Sequence, residues 1–470
     1  MAPECKRGGA GGTKIDAGVA DVGRVVARQR GYFASGATRP AEARLAALAR
    51  LDEGLAAREE ELLAALAADL GKPPVEAWLA ELHFLRAEIR HVTGRLRGWM
   101  RPRRAGHPLF LLPARSEVRR EPFGVALVIA PWNYPVQLAL SPVIAAVAAG
   151  NCAVIKPSEL APASSAVLAS LVAEVFDPGH VSVVEGGPET GEALLGGEFD
   201  MFFCTGSGRV GRLVAAAAAR RMVPAVLELG GKCPAVIGPD IDCGQTVERI
   251  VAGKFFNAGQ TCMAPDFVAV PEAQRAEFIG RAAEFIGRCY GRGRSSDLAR
   301  VVNRRHFQRI EALATGEVTR IGEDDAEACL MAPRIVAAGW DHPAMQEEVF
   351  GPLLPVVGYG GGGELLERLG ALPGVLALYV FSRDRGFQER VAGAVRSGSV
   401  CFNDVMKQGI NADLPFGGVG ESGHGRYRGR AGFESFSYAR SVTRRYFAPD
   451  PFFSPPPYGR LLERLRRWLG

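Results

Sequence analysis

Cys262 closes the run Asn257-Ala258-Gly259-Gln260-Thr261-Cys262. A thiol in that setting can attack an electrophilic carbon once it has lost its proton. A buried structural cysteine is the commoner explanation of an isolated Cys. Two features weigh against it here. The neighbours are small and polar, making a loop that a substrate can approach, and the preceding Lys254-Phe255-Phe256 reads as the end of a helix, which puts Cys262 at a junction. A helix N-terminus nearby would lower its pKa and activate it.

Glu228 is a single carboxylate in the apolar run Val226-Leu227-Glu228-Leu229, followed by Gly230-Gly231-Lys232. An unpaired buried charge is expensive, so its pKa is expected to be raised, which suits a general base near neutral pH. A carboxylate satisfied by backbone amides in the glycine turn is an equally strong reading of this segment alone. Asn133 lies between Trp132 and Tyr134 in a loop bounded by prolines. As a neutral double donor at a strand's C-terminal end, where ligands sit in open α/β sheets, it could stabilise an oxyanion. From the loop alone, capping a turn is the stronger reading.

Phe202 to Gly211 places Gly206, Gly208 and Gly211 in the pattern GxGxxG, with Ser207 and Val210 between them. Such glycines let the backbone approach a pyrophosphate, and a helix N-terminus supplies N–H donors. In a chain with 58 glycines the pattern alone can be coincidence. Its place after a predicted strand and at the opening of a predicted helix gives it weight.

The elements that hold these residues alternate. Leu45, Leu48, Leu55, Leu62 and Leu66 recur at helical spacing from Ala41 to Leu70, and Gly71-Lys72-Pro73-Pro74 ends that helix. A second helix is predicted from about Val75 to Met100, and Arg115 to Arg120 alternates as an edge or linking strand. Strands then follow at Val125 to Ala130, Ala153 to Lys156, Val181 to Val184, Met201 to Cys204 and Ala225 to Leu229, with helices between. This rhythm predicts parallel βαβ units. It resumes beyond Gly231 through Val268, Ala332 to Val336 and Leu376 to Phe381, read as a second α/β domain.

A chain of 470 residues exceeds the size at which one core stops growing, so two or more domains are expected. Hydrophobic residues at 47% and charged residues at 23% exclude wholesale disorder. The net charge of +5 is spread widely, unlike a nucleic-acid footprint, and the Arg-rich stretch from Arg86 to Arg120 reads as a solvated helix face and linker. Nine cysteines without a CxxC pair argue for reduced thiols in a cytoplasmic protein. The seven histidines show no clustered ligand spacing, so no metal site is expected. Residues 1 to 20 read as a flexible tail without the apolar segment of a signal peptide. The apolar stretch Leu138 to Ile155 contains Ser141, Pro142, Gly150 and Asn151, and reads as a buried helix running into a strand rather than a membrane span. Near the end, Leu461, Leu462, Leu465, Trp468 and Leu469 alternate with four arginines. Over residues 458–470 this basic amphipathic helix could lie on an anionic membrane surface; packing against its own subunit or a dimer partner is at least as strong a reading.

Together these segments resemble the aldehyde dehydrogenase superfamily from about residue 20 to residue 450. The resemblance rests on Pro131-Trp132-Asn133-Tyr134-Pro135, Ile155-Lys156-Pro157-Ser158-Glu159, Glu228-Leu229-Gly230-Gly231-Lys232, Gly259-Gln260-Thr261-Cys262, Glu347-Glu348-Val349-Phe350-Gly351-Pro352 and Pro415-Phe416-Gly417-Gly418-Val419-Gly420, in the family's order. Cys262-Met263-Ala264-Pro265-Asp266 and Val301-Val302-Asn303 with His306-Phe307 resemble the class 3 branch, which oxidises medium- and long-chain or aromatic aldehydes. The resemblance implies that Cys262 is the nucleophile, Glu228 the general base, and Asn133 with the Cys262 main-chain N–H the oxyanion hole. It implies NAD as cofactor, with NADP open. Lys156 and Glu159 would hold the adenine ribose, Gly206 to Gly211 the phosphates, Trp132 the cofactor cleft, and Glu348 and Phe350 the nicotinamide ribose and ring.

The implied fold is α/β. A Rossmann-like cofactor domain takes residues 21–104 and 124–230, and a second α/β catalytic domain residues 231–432. A small bridging β element, residues 105–123 and 433–450, would exchange strands in a homodimer, and 451–470 form a C-terminal tail. The implied reaction is oxidation of an aldehyde to its acid. A CoA-acylating dehydrogenase is the rival, disfavoured by Glu228 because hydrolysis needs that base; a non-enzymatic binding protein on the same fold is a second. Four residues depart from the family's pattern. Gly208 and Arg209 replace the usual Thr and Gly of the phosphate loop, and Arg209 would favour a 2′-phosphate where Glu159 would repel one. Glu421 and His424 replace commoner residues near the substrate entrance.

Overall fold

The computed structural model describes residues 19–108, 111–241, 243–291, 297–447 and 456–469. Most of the expected N-terminal tail, and residues 451–455 and 470 of the C-terminal one, lie outside them. The architecture is α/β, with three sheets among the described residues. A parallel sheet covered on both faces needs strands that are apolar throughout, and Val125–Ile129, Cys152–Lys156, Met201–Gly206 and Ala225–Leu229 are of that kind, almost every residue being buried. They form a six-stranded sheet in the order Gly423–His424, Ala225–Leu229, Met201–Gly206, Val125–Ile129, Cys152–Lys156, Val181–Val183. All its pairings are parallel except that of the short Gly423–His424 strand. The chain passes from Val125–Ile129 to Cys152–Lys156 on one side and returns as Met201–Gly206 on the other. The crevice at such a switch point, outside the strands' carboxyl ends, is where open α/β sheets bind ligands.

A seven-stranded sheet follows from the second half of the chain, built on Pro234–Ile237, Phe267–Pro271, Leu353–Tyr359 and Val375–Phe381. It too is parallel apart from its terminal strand Val318–Arg320. The predicted strand at Ala332 to Val336 is Arg334–Ala338. The third sheet is a small antiparallel one of Arg103–Ala105, Ala114–Pro122 and Ser437–Arg445. The sequence reading of Arg115 to Arg120 as an edge or linking strand is corrected by this pairing. The segment is the sheet's central strand, because a partner more than three hundred residues away covers its second edge.

The apolar stretch from Leu138 behaves as its composition dictates. Helix Gln137–Ala149 is buried along its whole length, Gly150 ends it at φ 94°, and Cys152 opens the next strand. The first long helical stretch is two helices, Ala41–Ala57 and Glu59–Leu70, parted at Arg58. The second is a continuous helical run in which Trp78–His83 has π geometry between Pro74–Ala77 and Phe84–Trp99. No helix among the described residues is long and apolar enough to cross a membrane. Helix Leu461–Leu469 is short, and the side chain of Leu462 on it is exposed.

Candidate active site

The carboxyl ends of three adjacent strands of the six-stranded sheet supply Pro131 to Asn133, Thr205 to Ser207 and Glu228 to Gly230. These meet Cys262, His306, Arg309 and the Glu347–Phe350 loop around one cavity of about 330 Å³. Eight of the residues singled out in the sequence line it: Cys262, Glu228, Asn133, Trp132, Gly206, Ser207, Glu348 and Phe350. Lys156, Glu159, Gly208, Val210 and Gly211 lie outside that lining. Lys156 and Glu159 are joined by a 2.8 Å ion pair at the end of the neighbouring strand. Gly208 and Val210 stand in the first turn of helix Gly208–Arg221, capped by the Ser207 hydroxyl accepting from Val210 N at 3.4 Å. Gly211 has a packing reason: a Cβ there would come within 2.7 Å of Leu229 Cδ2, so any larger residue would have to displace that side chain on the strand bearing Glu228.

Cys262 follows the end of helix Cys243–Phe255 and the 3-10 turn Phe256–Gly259, in which Asn257 and Ala258 have φ of 53° and 52°. The helix end read at Lys254 to Phe256 is there, but among the described residues no helix begins at the junction, and the chain goes on to strand Phe267–Pro271. Burial, reinforced by the nearby Glu348 and Glu228 carboxyls, pushes the thiol up to about 12 rather than down. A base must therefore take its proton before it can attack. The Asn133 amide is buried and donates through Nδ2 to Gln260 O at 2.9 Å. That bond uses one N–H of the amide, at the wall of the cavity that Cys262 also lines, and an amide nitrogen carries a second donor.

Glu228 is 3% exposed, and neither carboxylate oxygen accepts a hydrogen bond. Satisfaction by amides of the glycine turn is therefore not what the structure contains. Burial raises its pKa well above the ordinary value, opposed by Arg426 and Arg428. The sequence reading missed both arginines. A Cβ on Gly417 would lie 2.8 Å from Glu228 Oε1 and 3.0 Å from Arg426 Cδ, so glycine there lets the two approach. Arg428 is itself buried, with its guanidinium 4.4 Å from the Phe84 ring centroid and 4.5 Å from that of Phe416. The pattern Arg426-Tyr427-Arg428 between glycines carried no signal that two cations fold inward.

The Glu347–Phe350 loop is tied down from beneath. Arg309 donates to Glu348 O at 3.2 Å and Val349 O at 2.6 Å, Lys232 donates to Glu347 O at 2.9 Å, and Asp266 accepts from Val349 N at 2.8 Å. This holds Phe350 in a left-handed conformation at φ 46° with its ring 5.5 Å from Trp132, edge to face. Burial and the neighbouring Asp266 push Glu348 up to about 8, and burial pushes Glu76, near Lys72, up to about 7.

The donor set suits a dinucleotide. A helix N-terminus opens beside Gly206 and Ser207, Thr205 Oγ1 is buried without a partner, and Trp132 and Phe350 offer aromatic walls. Glu348 and the Lys156–Glu159 pair supply groups able to bond ribose hydroxyls.

The raised carboxyls also set a pH dependence of stability. In the unfolded chain they titrate near ~4.3, whereas Glu76 and Glu348 titrate at about 7 and about 8 when folded. The folded state binds more protons in between, so stability is full below the unfolded value and is lost as pH rises through the folded ones. Burial pushes His180 and His306 down to about 4, which acts in the opposite sense up to their unfolded value of ~6.5. The melting temperature of the cofactor-free protein is therefore expected to fall chiefly from about pH 6.5 to about pH 8, with Glu348→Gln flattening that fall. A melting temperature that rises over that range would contradict these carboxyl environments.

The aldehyde dehydrogenase family matches residues 10–442. Aldehyde dehydrogenase family 3 member H1 of Arabidopsis thaliana is 40% identical over 461 residues, covering 96% of this chain and 95% of that one. The substrate-bound structure of Staphylococcus aureus AldH superposes with a TM-score of 0.92 at 34% identity, covering 95% and 99% of the two chains. A mutant of aldehyde dehydrogenase C from Pseudomonas syringae, solved with NAD+ and octanal, gives a TM-score of 0.81 at 29% identity over 90% and 89%. A match that spans nearly the whole chain, with the strand ends, thiol and carboxylate gathered in one cavity, shows that the chain belongs to the aldehyde dehydrogenase family of oxidoreductases.

Proposed function

We propose that this chain oxidises medium- or long-chain aliphatic or aromatic aldehydes to carboxylic acids with NAD+, through a thiohemiacetal and then a thioester on Cys262. The observation that carries the reading is the convergence of Cys262, the Asn133 amide and an unpartnered, buried Glu228 carboxyl on one cavity. The Cys262 sulfur, its proton taken up by a base, bonds to the aldehyde carbon, and the carbonyl oxygen gains the charge. The free N–H of the Asn133 amide and the Cys262 main-chain N–H receive that oxyanion. Phe350 and Glu348 would hold a nicotinamide, which when bound would supply the hydride acceptor needed to oxidise the thiohemiacetal to a thioester. Glu228 then takes a proton from water as the water oxygen attacks the thioester carbon. The carbon–sulfur bond breaks, the acid leaves, and the thiol is restored.

Octanal and NAD+ in the Pseudomonas syringae structure support the substrate size and the cofactor by similarity. For the cofactor there is also a local reason. Partial burial works against it, but the hydrogen bond from Lys156 holds the Glu159 carboxyl below its usual range. A carboxylate at the ribose repels a 2′-phosphate, whereas Arg209 is exposed. The reading includes a homodimer paired through the edge of the small antiparallel sheet, and a C-terminal helix that serves a subunit contact or an anionic membrane surface. Native mass tests the first; flotation with anionic liposomes separates the second pair.

The deciding assay is formation of NADH and NADPH with hexanal, decanal and benzaldehyde, with and without CoA. Turnover independent of CoA with NAD+ preferred is the expected result; dependence on CoA would replace hydrolysis by acyl transfer. Asn133→Ala is expected to lower kcat by ~10²–10³-fold, the usual cost of one oxyanion donor, with the affinity for NAD+ unchanged. An unaltered kcat would remove Asn133 from the oxyanion hole.

A further inference from the structure

Lys72 and Glu81 form a salt bridge with both side chains fully buried, Nζ to Oε1 2.5 Å. Such a pair is a costly way to stabilise a fold, since apolar residues of like volume often do as well. Its contacts suggest another use. Lys72 Nζ also donates to the main-chain oxygen of Asn133 at 2.9 Å and lies 4.2 Å from the Tyr134 ring centroid. The second Glu81 oxygen accepts from Val136 N at 2.9 Å and Gln137 N at 3.0 Å, the amides that open helix Gln137–Ala149. The ion pair thus grips the Asn133 loop on both sides of Tyr134 and Pro135.

The same segment of chain reaches the loop that carries the thiol. Glu76 Oε2 accepts from Asn257 N at 2.7 Å, holding a residue in left-handed conformation that is not glycine. Asn257 Nδ2 donates to the oxygen that Lys72 holds, Asn133 O, at 3.0 Å, and to Gln260 O at 3.2 Å. Gln260 O is in turn the acceptor for the Asn133 amide. Tyr134 and Thr261 close the circuit through a 2.6 Å hydroxyl contact. Glu81 reaches its partners from the π-helical turn Trp78–His83, and single π turns inside α-helices are frequent at functional sites.

We propose that the buried Lys72–Glu81 pair is a positioning device that sets the Asn133 amide against Cys262, so that the oxyanion hole is formed before substrate arrives. The inference rests on the reading of Asn133 as the oxyanion donor. Neither Lys72 nor Glu81 touches substrate; both act through the loop they hold. Displacement of a reacting group by about an ångström can cost ~10²-fold in rate, so a loosened amide is expected to act on acylation rather than on binding.

The test compares Lys72→Met, Glu81→Gln and the double variant Lys72→Met/Glu81→Met, which leaves no lone buried charge, each in wild-type and Asn133→Ala backgrounds. Three quantities are read: the rate of the first-turnover NADH burst with hexanal, the rate of Cys262 alkylation by iodoacetamide, which forms no oxyanion, and the Kd for NAD+. Expected is a burst ~10–100-fold slower with alkylation and Kd within ~2-fold, and a loss in the Asn133→Ala background of less than ~3-fold, as for residues acting through one shared group. A burst at the wild-type rate in the folded variants overturns the proposal. So does a parallel fall in alkylation, or a full multiplicative loss on top of Asn133→Ala. A normal burst in Asn133→Ala alone identifies a different failure, that of the oxyanion assignment itself.

Discussion

Replacing Glu228 with glutamine is expected to leave one burst of NADH equal to the enzyme concentration, followed by turnover slower by ~10²–10⁴-fold, the range for loss of a positioned general base. Glutamine matches the carboxylate in shape but cannot take a proton from water. Both Glu228 oxygens lie in the protein without a hydrogen-bond partner, so no donor among the described residues holds them away from the cavity. The thioester should therefore accumulate, visible as an acyl adduct on Cys262 by mass spectrometry. A pH profile gives a second readout. Burial raises the pKa of this carboxyl while Arg426 and Arg428 oppose the rise. Below that pKa the group is neutral and cannot act as a base, so wild-type hydrolysis should climb with pH through it, and Glu228→Gln should lose that limb. If the variant lost the burst together with turnover, Glu228 would be the base for the Cys262 thiol instead. Undiminished steady-state turnover would remove it from the chemistry.

What could be read from the sequence divides along a physical line. Glu228 was visible because a lone carboxylate interrupts a run of buried apolar residues, and its environment is the one that interruption implies. Five strands of the six-stranded sheet were legible for the same reason: strands buried on both faces leave little freedom in composition, and the glycines and prolines between them mark the turns. The short antiparallel Gly423–His424 strand reads as a turn in the sequence. Helix boundaries were less so. The break at Arg58 and the π turn at Trp78–His83 interrupt segments whose leucine spacing continues across them.

Features made by distant segments left no local trace. The central place of Ala114–Pro122 in its sheet depends on Ser437–Arg445. Lys72 and Asn133 are brought together over sixty residues of chain, and Arg426 reaches Glu228 across two hundred. Cys262 shows how a local rule fails. Its junction was legible, but the segment before it bends through left-handed Asn257 and Ala258, of which only the Asn is a residue type enriched in that conformation, and the chain leaves the junction as a strand. Without a helix dipole, burial decides the thiol's pKa.

That environment shapes the second large effect. Cys262→Ala is expected to abolish NADH formation, by at least ~10⁴-fold as for removal of a covalent nucleophile, with NAD+ binding and melting temperature close to wild type. The thiol is half-buried at the cavity wall, and deleting one sulfur there costs little packing. It also removes the group whose ionisation is opposed by burial, Glu348 and Glu228 together. The same opposition predicts the behaviour of the wild type. With its thiol pushed up to about 12, cofactor-free enzyme should be alkylated by iodoacetamide at a rate that rises about tenfold per pH unit from pH 7 to pH 9, without a plateau, because the thiolate fraction grows tenfold per unit below the pKa. Cys152, Cys204 and Cys233 are buried and should remain unmodified in the folded protein, whereas Cys289, Cys329 and Cys401 are partly exposed like Cys262. The label is therefore read on the Cys262 peptide by mass spectrometry, with Cys262→Ala as the control. NADH formation retained within tenfold in that variant would exclude a thioester route, since among the described residues no other thiol lines the cavity; a plateau in the alkylation rate near pH 7 would mean that the thiol is activated before cofactor binds, and that the carboxyls around it are neutral or turned away.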